Sequence, residues 1–345
     1  MFLMRSRKQL IYFIASLILS VTILGWLFST VPVSEVLALL NNADRRAVVC
    51  FVALSLLTSF FRMLRYRLLL GLSGEHPARL PLFLVVLVRN LFSDLLPARI
   101  GSLIYIYIVN ARLGVAFGAA TSSFTLAFFF DILALAPIAL YAAFSSLSSA
   151  GLLSPLNLIA GALAIGISSA LIIQILPWAF GKAASVLKNS TAGSAAQRCG
   201  EVIKAAQQDL WRIRKAGIYA RVFVLSVAVR LGKYLTLYAF LLALLLPRGF
   251  TLQTLSFSRV FPGLCAAELA ASLPVSGIAG LGAYQGAWVF TFTLLGFPQD
   301  IAKVTSLAHH LFTQVWGYSL GAVALLILLV PLIRKGNAGL SAPGS

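Results

Sequence analysis

The sequence predicts an all-α polytopic membrane protein with about six full transmembrane helices and two broken re-entrant helical hairpins in inverted orientation. The first observation behind this fold class is composition: 60% of the residues are hydrophobic, 10% are charged, and the mean hydropathy is +0.96. Soluble domains carry about 25% charged residues. The second observation is a series of apolar runs long enough to cross a bilayer. The third is a pair of apolar runs that proline and glycine interrupt near the middle.

Apolar runs of about 20 residues mark the full spans, because roughly 30 Å of hydrocarbon needs that many helical residues. The first run, 9–29, follows Arg5, Arg7 and Lys8, and we expect it to be a signal anchor rather than a cleaved leader. A short amphipathic surface helix is expected at 31–42. The remaining spans are expected at 47–61, where the helix continues into a basic stretch, and at 116–144, 156–180, 218–246 and 301–333.

The distribution of basic residues determines the expected topology, because cytoplasmic loops of membrane proteins are enriched in Lys and Arg. The basic stretches are 1–8, 62–79, 182–221 and 334–335, and in the second of them Arg62, Arg65 and Arg67 mark the cytoplasmic end of a span. Both termini are therefore expected in the cytoplasm, with the protein in a cell inner (plasma) membrane. About two thirds of the Lys and Arg residues fall in these stretches or at Arg112. The net charge of +18 therefore needs no nucleic acid to explain it.

This topology requires each broken segment to begin and end on one side of the membrane: 80–110 inside and 259–296 outside. Each segment has two arms of roughly 15 residues, or about 22 Å of helix, which is short for a crossing. Two re-entrant hairpins are the economical interpretation, although two pairs of short full spans satisfy the same topology. We expect a single transmembrane domain over 1–335 and a polar tail over 336–345.

The first broken segment carries the main candidate site. Pro97 removes a backbone donor and ends a helix, while Gly101 permits a sharp turn. Asn90 and Asp94 are four residues apart and share a face if that arm is helical. Arg99 follows the break, and its planar fork suits a phosphate headgroup. An internal pair between Asp94 and Arg99 is an equally open interpretation.

The second broken segment is interrupted at 273–282, with the sequence LPVSGIAGLG. Non-helical backbone at membrane depth survives only where protein or a wet cavity surrounds it, so a polar cavity is expected between the two hairpins. Asn90, Asp94 and Arg99 would line one side of that cavity. Glu268 and Gln285 would line the other.

Charged and imidazole side chains elsewhere in the spans form a further candidate group: Asp131, Arg230, Lys233 and His310. Buried charges of opposite sign usually pair, so ion pairs between helices are one interpretation, with Glu268 as a second acid. A proton or ion relay is the other interpretation. His310 shares a helix face with Gln314, so the choice there lies between proton transfer and interhelical hydrogen bonding.

The sequence shows no apparatus for catalysis. The three cysteines have neither metal-ligand nor disulfide-framework spacing, and no nucleophile–base arrangement, HExxH sequence or P-loop is present. Gly280 and Gly282 fit a dinucleotide fingerprint only loosely, since no βαβ unit surrounds them. We therefore expect a protein that is not an enzyme and that uses no metal and no cofactor.

Two motifs resemble the signatures of a known family. NLFSDLLPARIGSLIYIYIVNARLG, in the first broken segment, resembles the first signature of the lysylphosphatidylglycerol synthase transmembrane-region family, and LPVSGIAGLGAYQGAWVFTFTLLGFP resembles the second. The resemblance implies a flippase-like membrane protein. It carries over the proline, glycine and arginine positions of both motifs: Pro97, Arg99, Gly101, Pro274, Gly280 and Gly282.

Three positions depart from the family pattern. Ser102 stands where the family has Glu, Tyr105 stands where it has Arg, and Gln285 stands where it has Glu. Bifunctional members have a cytosolic synthase domain after the membrane region. This chain ends about 12 residues past its last span, so the resemblance implies the membrane half alone.

These observations favour binding of an anionic or polyprenyl-linked lipid between the hairpins, with translocation of that lipid as an open second step. A proton-coupled small-molecule secondary transporter, using Asp131, Glu268 or His310, is one alternative. Another is a non-transporting membrane partner of a lipid- or glycan-modifying enzyme, docked through the basic loop 182–216. For that loop, contact with anionic lipid is the competing interpretation.

Overall fold

The part of the chain that the structure describes consists of helices joined by short turns and contains no strand. A computed structural model describes residues 31–96, 101–149 (side chains to 134), 211–213, 215–273 and 278–329, together with isolated residues outside these ranges. We number the helices in chain order: α1 Val33–Asn41, α2 Arg45–Gly71, α3 Arg79–Leu95, α4 Ile104–Leu113, α5 Phe117–Ser149, α6 Tyr219–Leu245, α7 Phe257–Ser272, α8 Ala283–Leu294 and α9 Gln299–Leu329. Short 3₁₀ turns lie at Leu246–Arg248 and Ile278–Gly280.

Four helices of the described residues are long and apolar enough to cross a membrane: Arg45–Gly71, Phe117–Ala134, Tyr219–Arg248 and Gln299–Leu329. They coincide with four of the six predicted spans. The other two, at 9–29 and 156–180, lie outside the described residues. Along the most apolar 18-residue stretch of α9, only 17% is buried inside the protein. A largely apolar helix with so much exposed surface is expected when lipid is the solvent.

The two broken segments consist of helices shorter than a span. Helices α3 and α4 have 17 and 10 residues, and α7 and α8 have 16 and 12. At 1.5 Å per residue the longest is about 26 Å, less than the roughly 30 Å hydrocarbon thickness. Helix α3 ends two residues before Pro97, as expected because the residue before a proline disfavours helical geometry. Pro97 and Arg99, like Pro274, lie outside the described residues.

The chain divides into two compact units. The first unit draws on Met1–Leu57, Leu84–Ile104 and Gly232–Ile333, and the second on Thr58–Phe83, Tyr105–Leu231 and Arg334–Ser345. Helices α2, α3 and α6 each contribute residues to both. Helix α4 begins at Ile104, the last residue of that stretch of the first unit, and continues in the second.

The core of the first unit is built on aromatic packing. Phe51 packs against Phe240 with ring centroids 5.2 Å apart, and Phe240 stacks on Phe312 at 4.3 Å. Helix α1 covers this core with Val36 and Leu39, which are buried. The amphipathic helix predicted at 31–42 is therefore packed on the core through one face.

The second unit contains packed aromatic rings and a buried charge. Tyr66 stacks on Tyr105 at 4.1 Å, and Phe130 packs against Tyr219 at 5.0 Å. Next to Tyr66, the guanidinium of Arg65 is completely buried. An arginine in that position needs a partner of opposite charge.

Candidate functional site

The second broken segment folds into a hairpin whose arms, α7 and α8, run antiparallel. Near the open end, a Cβ on Gly263 would lie 2.4 Å from the ring of Phe292. Near the tip, a Cβ on Gly280 would lie 2.7 Å from the Cβ of Ala271. The positions in contact rise along one arm as they fall along the other, so the start of α7 lies beside the end of α8. Glycine makes both close approaches possible.

The tip of this hairpin uses backbone conformations that favour glycine. Gly280 has φ 69° and Gly282 has φ 88°. Directly before Gly280, Ala279 adopts φ 57°, a left-handed conformation that costs an alanine about 1–2 kcal/mol. The glycines predicted from the motif are therefore required by φ at both positions, and at Gly280 by space as well.

A buried amide and imidazole hold the start of α8 against α9. The Gly282 N–H donates to Gln285 Oε1 at 2.8 Å, and Gln285 Nε2 lies 2.8 Å from His310 Nδ1. The backbone N–H can only donate, so it fixes the orientation of the Gln285 amide. Gln285 then donates to an unprotonated Nδ1, and the neutral His310 ring carries its proton on Nε2. Gln314 Nε2 lies 3.0 Å from that Nε2. Because two N–H groups cannot bond each other, we expect the Gln314 amide to be turned over so that its oxygen accepts from His310.

His309, which the sequence interpretation did not select, makes a second set of buried contacts. Its Nε2 lies 2.9 Å from the carbonyl oxygen of Leu237, which can only accept, and its Nδ1 lies 3.1 Å from the Tyr284 hydroxyl. The two adjacent histidines thus connect α9 to α8 and α6. The available signal was the His-His pair itself, but nothing in the sequence distinguishes which ring faces which helix.

Glu268 of α7 forms an ion pair with Lys233 of α6. Both side chains are about one-fifth exposed or less, and the Glu268 backbone carbonyl accepts a hydrogen bond from the Ser272 hydroxyl. Of the two predicted cavity groups on this hairpin, Gln285 therefore contacts α9 and Glu268 contacts α6. Lys233 is one of the two bases that the sequence offered as partners for a buried acid.

The break of the first segment packs tightly on the end of its own first arm. A Cβ on Gly101 would lie 1.7 Å from the carbonyl oxygen of Phe92. Gly101 is not among the positive-φ residues, so a glycine is needed here for close approach rather than for a left-handed turn. Asn90 accepts a hydrogen bond from Arg89 at 3.4 Å, and Asp94 is exposed at the last turn of α3.

One face of α9 connects this arm with the hairpin inside the first unit. We call it the α9 stripe: His310, Gln314, Tyr318 and Gly321, spaced four, four and three residues apart. Gly321 contacts α3, since its Cβ would lie 2.4 Å from the Cβ of Leu91. Tyr318 lies near enough to Asp94 for an electrostatic interaction. The stripe therefore runs from the Gln285 contact to the end of α3.

The second unit holds a separate charged cluster. Arg65 Nη1 donates to Asp131 Oδ1 at 2.6 Å, and its Nη2 lies 3.3 Å from Oδ2, so the pair is bidentate. Arg65 Nη1 also lies 3.0 Å from the Ser226 hydroxyl, and Arg230 Nε lies 3.4 Å from Asp131 Oδ1. The structure therefore places Arg230 beside Asp131, as one of the sequence interpretations has it, and adds Arg65.

Arg65 corrects the sequence interpretation, which placed it with Arg62 and Arg67 as a marker of the cytoplasmic end of a span. Its side chain is 1% exposed and paired with Asp131. Composition cannot separate these two roles, because a basic run at the end of an apolar helix has the same pattern in both. The one signal in the sequence is Asp131 itself, because a buried acid needs a basic partner.

Two positions that depart from the family pattern are internally accommodated. Tyr105 is fully buried, stacks on Tyr66, and has its hydroxyl 3.1 Å from the Ser123 Oγ. Gln285 bonds the Gly282 N–H, as a glutamate could, but also donates to His310. Ser102 lies in the turn before α4 and is partly exposed.

The chain matches a known protein family. The family model described as lysylphosphatidylglycerol synthase TM region matches residues 13–333, which include both broken segments and all four candidate spans. That model describes the membrane region of the family rather than a catalytic domain. Searches of curated proteins and of solved structures return no match. The chain is a membrane protein that belongs to the lysylphosphatidylglycerol synthase transmembrane-region family.

Proposed function

We propose that this protein binds an anionic or polyprenyl-linked membrane lipid at the two broken segments and translocates its headgroup across the bilayer. The polar side chains near the breaks would hold the headgroup while the lipid tail stays in the hydrocarbon. We place the protein in the cell inner membrane with both termini in the cytoplasm, and we take the broken segments to be re-entrant. Membrane lipids would be its main partners.

The α9 stripe is the observation that carries this proposal. It brings imidazole, amide and phenol groups into line between the two broken segments of a membrane protein. The Tyr318 hydroxyl is buried and has no hydrogen-bond partner among the described residues. A buried hydroxyl without a partner is costly, and the cost rises where no water is available. A phosphate or hydroxyl of a lipid headgroup could supply that partner.

The chemistry around the stripe suits a headgroup that carries both charge and hydroxyls. Asn90 and Asp94 lie on the arm that Gly321 contacts, and Asp94 is exposed. Arg99, carried over from the family motif, would provide the fork that binds phosphate oxygens in pairs. Short helices with polar breaks are also the elements that line substrate sites near the midplane of many transporters.

The test is movement of a labelled anionic lipid in vesicles that contain the purified protein. The wild-type protein is expected to move inner-leaflet lipid to the outer leaflet, where an external quencher reaches the label. Arg99→Ala is expected to slow this movement at least about tenfold, because a charged, bidentate contact is removed. Mass spectrometry of co-purified lipids should show the same loss. Arg248→Ala is the matched control, since Arg248 is exposed at the turn after α6. Equal rates for wild type and Arg99→Ala would rule out the headgroup role.

A proton-coupled small-molecule transporter is the second candidate, and the buried His309 and His310 favour it. Both rings exchange hydrogen bonds with side chains of α8, so a change in their protonation would alter the contacts of the hairpin. Uptake driven by a pH gradient and abolished by His310→Gln would support this candidate. Lipid movement that does not depend on the gradient would support the lipid proposal instead. Docking of an enzyme through loop 182–216 stays a prediction, since most of that loop lies outside the described residues.

A further inference from the structure

We propose that Arg65, Asp131 and Arg230 form a second anion-binding site, in which Arg230 presents its guanidinium to a phosphate group. This site lies wholly in the second unit and does not depend on the proposed role of the broken segments. The ligand class is a phosphate-bearing anion, either the phosphate of a lipid headgroup or free inorganic phosphate.

The first argument is charge. Two guanidinium groups approach one carboxylate, so the three side chains together carry a net charge of +1. Arg62 adds a further electrostatic interaction with the same carboxylate. Among the described residues of the second unit, the other acid is Glu75, which accepts the N–H of Ala116 in a loop. An unbalanced positive charge at membrane depth is costly, and a bound anion offsets that cost.

The second argument is that the two arginines are held in different ways. Arg65 uses both terminal nitrogens on Asp131 and Ser226 and is 1% exposed, which is the geometry of a completed buried pair. Arg230 approaches Asp131 most closely through Nε, at 3.4 Å, and that atom makes no hydrogen bond among the described residues. Its side chain is 20% exposed although its Nε is buried, so the accessible surface belongs to other atoms of the side chain.

The third argument is positioning. Asp131 is itself fixed by the bidentate contact with Arg65, and Ser226, which holds Arg65, is anchored by its own bond to the Val222 carbonyl at 2.8 Å. The carboxylate therefore orients Arg230 with Nε as the nearest atom, and the two terminal nitrogens of Arg230 make no hydrogen bond with the described residues. Those nitrogens form the fork that binds two phosphate oxygens at once. A structural ion pair needs one arginine, and the second is explained by a ligand.

The experiment measures anion binding by detergent-purified protein, using inorganic phosphate as one probe and phosphatidylglycerol against phosphatidylcholine as the other. Thermal stabilisation reports phosphate, and native mass spectrometry reports lipid. Arg230→Gln keeps the Arg65–Asp131 pair and should fold. It is expected to weaken binding about tenfold to a hundredfold, as for loss of a charged hydrogen-bond pair. Arg230→Lys keeps the charge without the guanidinium fork, so its affinity for the anion should lie between those of wild type and Arg230→Gln.

Arg248→Gln is the matched control and should bind like wild type. Circular dichroism and gel filtration without ligand establish that Arg230→Gln is folded. The same comparison in an Arg99→Ala background separates this site from the proposed headgroup site, because loss that depends on Arg230 should persist there. Binding of phosphatidylglycerol alone assigns the site to a lipid phosphate, and competition by inorganic phosphate assigns it to a soluble anion. Binding of both probes that is unchanged in Arg230→Gln overturns the proposal.

Discussion

The two broken segments have the same sequence character but are supported in different ways. The second closes on itself: α7 and α8 contact each other at both ends of the hairpin, entirely within the first unit. The first is shared: its break packs on Phe92 in the first unit, while Tyr105 and the rest of α4 belong to the second. A proline and a glycine in an apolar run therefore predict an interruption, but they do not predict what the two arms will pack against.

The two segments also differ in how far their polar groups are buried. At the second break, the Gly282 N–H and the Gln285 amide are hydrogen-bonded, and Gln285 is fully buried. At the first break, Asp94 is exposed at the end of its helix. The polar groups at the second break are thus enclosed, whereas an acid at the first break lies at the surface. Substitutions that separate shape from polarity should distinguish the two.

Gly101→Ala should have the largest effect. The added Cβ would lie 1.7 Å from a backbone oxygen of Phe92, and backbone cannot rotate away as a flexible side chain can. The break must move, with an expected loss of about 3 kcal/mol or more in the free energy of unfolding. Thermal unfolding in detergent, followed by tryptophan fluorescence, measures the loss.

Gly317→Ala is the control for that variant, because nothing lies within 4 Å of a Cβ at this helical position of α9. Alanine is the better helix former by about 1 kcal/mol, so this variant should be neutral or slightly stabilised. If Gly101→Ala unfolds at the same temperature as Gly317→Ala, the break of the first segment does not pack against α3 as described.

Much of the architecture follows from the sequence because it depends on local properties. Span length follows from hydrophobic thickness, so the four helices found in the described residues coincide with predicted spans. Helix α3 ends just before Pro97 because proline excludes continuation of the helix. Each of these properties is encoded within about 20 residues of the feature that it produces.

The contacts of the candidate sites could not be predicted in this way, because they join residues far apart in the chain. The Gln285–His310 contact links α8 to α9, and an amide facing an imidazole leaves no periodic signal. Arg65 and Asp131 are 66 positions apart, and the basic run around Arg65 fits a cytoplasmic loop equally well. Sequence indicates that a buried acid needs a partner, but tertiary packing selects it.

Gly280→Ala should have the next largest effect. It combines two costs: a left-handed φ of 69°, at about 1 kcal/mol or more, and a Cβ placed 2.7 Å from that of Ala271. We expect a total loss of about 2–3 kcal/mol in the free energy of unfolding. Ala271→Gly removes the Cβ that the new side chain would meet and leaves the backbone strain at position 280. In an Ala271→Gly background, Gly280→Ala should therefore cost less free energy of unfolding than it does in the wild-type protein. No recovery in this cycle would mean that α7 and α8 do not approach each other at the tip.

Changes at Gln285 should have the smallest effect and the most informative one, because they leave the backbone in place. Gln285→Leu keeps the volume but leaves the Gly282 N–H and His310 Nδ1 without partners, at an expected cost of about 2 kcal/mol after relaxation. Gln285→Glu, the residue that the family motif has, keeps the acceptor for Gly282. It can also accept from His310 once the ring proton moves from Nε2 to Nδ1. Gln285→Glu should therefore lose less than half as much free energy of unfolding as Gln285→Leu.

The ¹⁵N shifts of the His310 ring report that tautomer change directly, and thermal unfolding ranks the variants. Gln314→Leu removes only the contact at Nε2, and it should leave the proton on Nε2 as in wild type. If Gln285→Glu proves as destabilising as Gln285→Leu, the amide is not acting through the Gly282 N–H. The second segment would then be held by packing alone, and the contrast with the first segment would rest on its glycines.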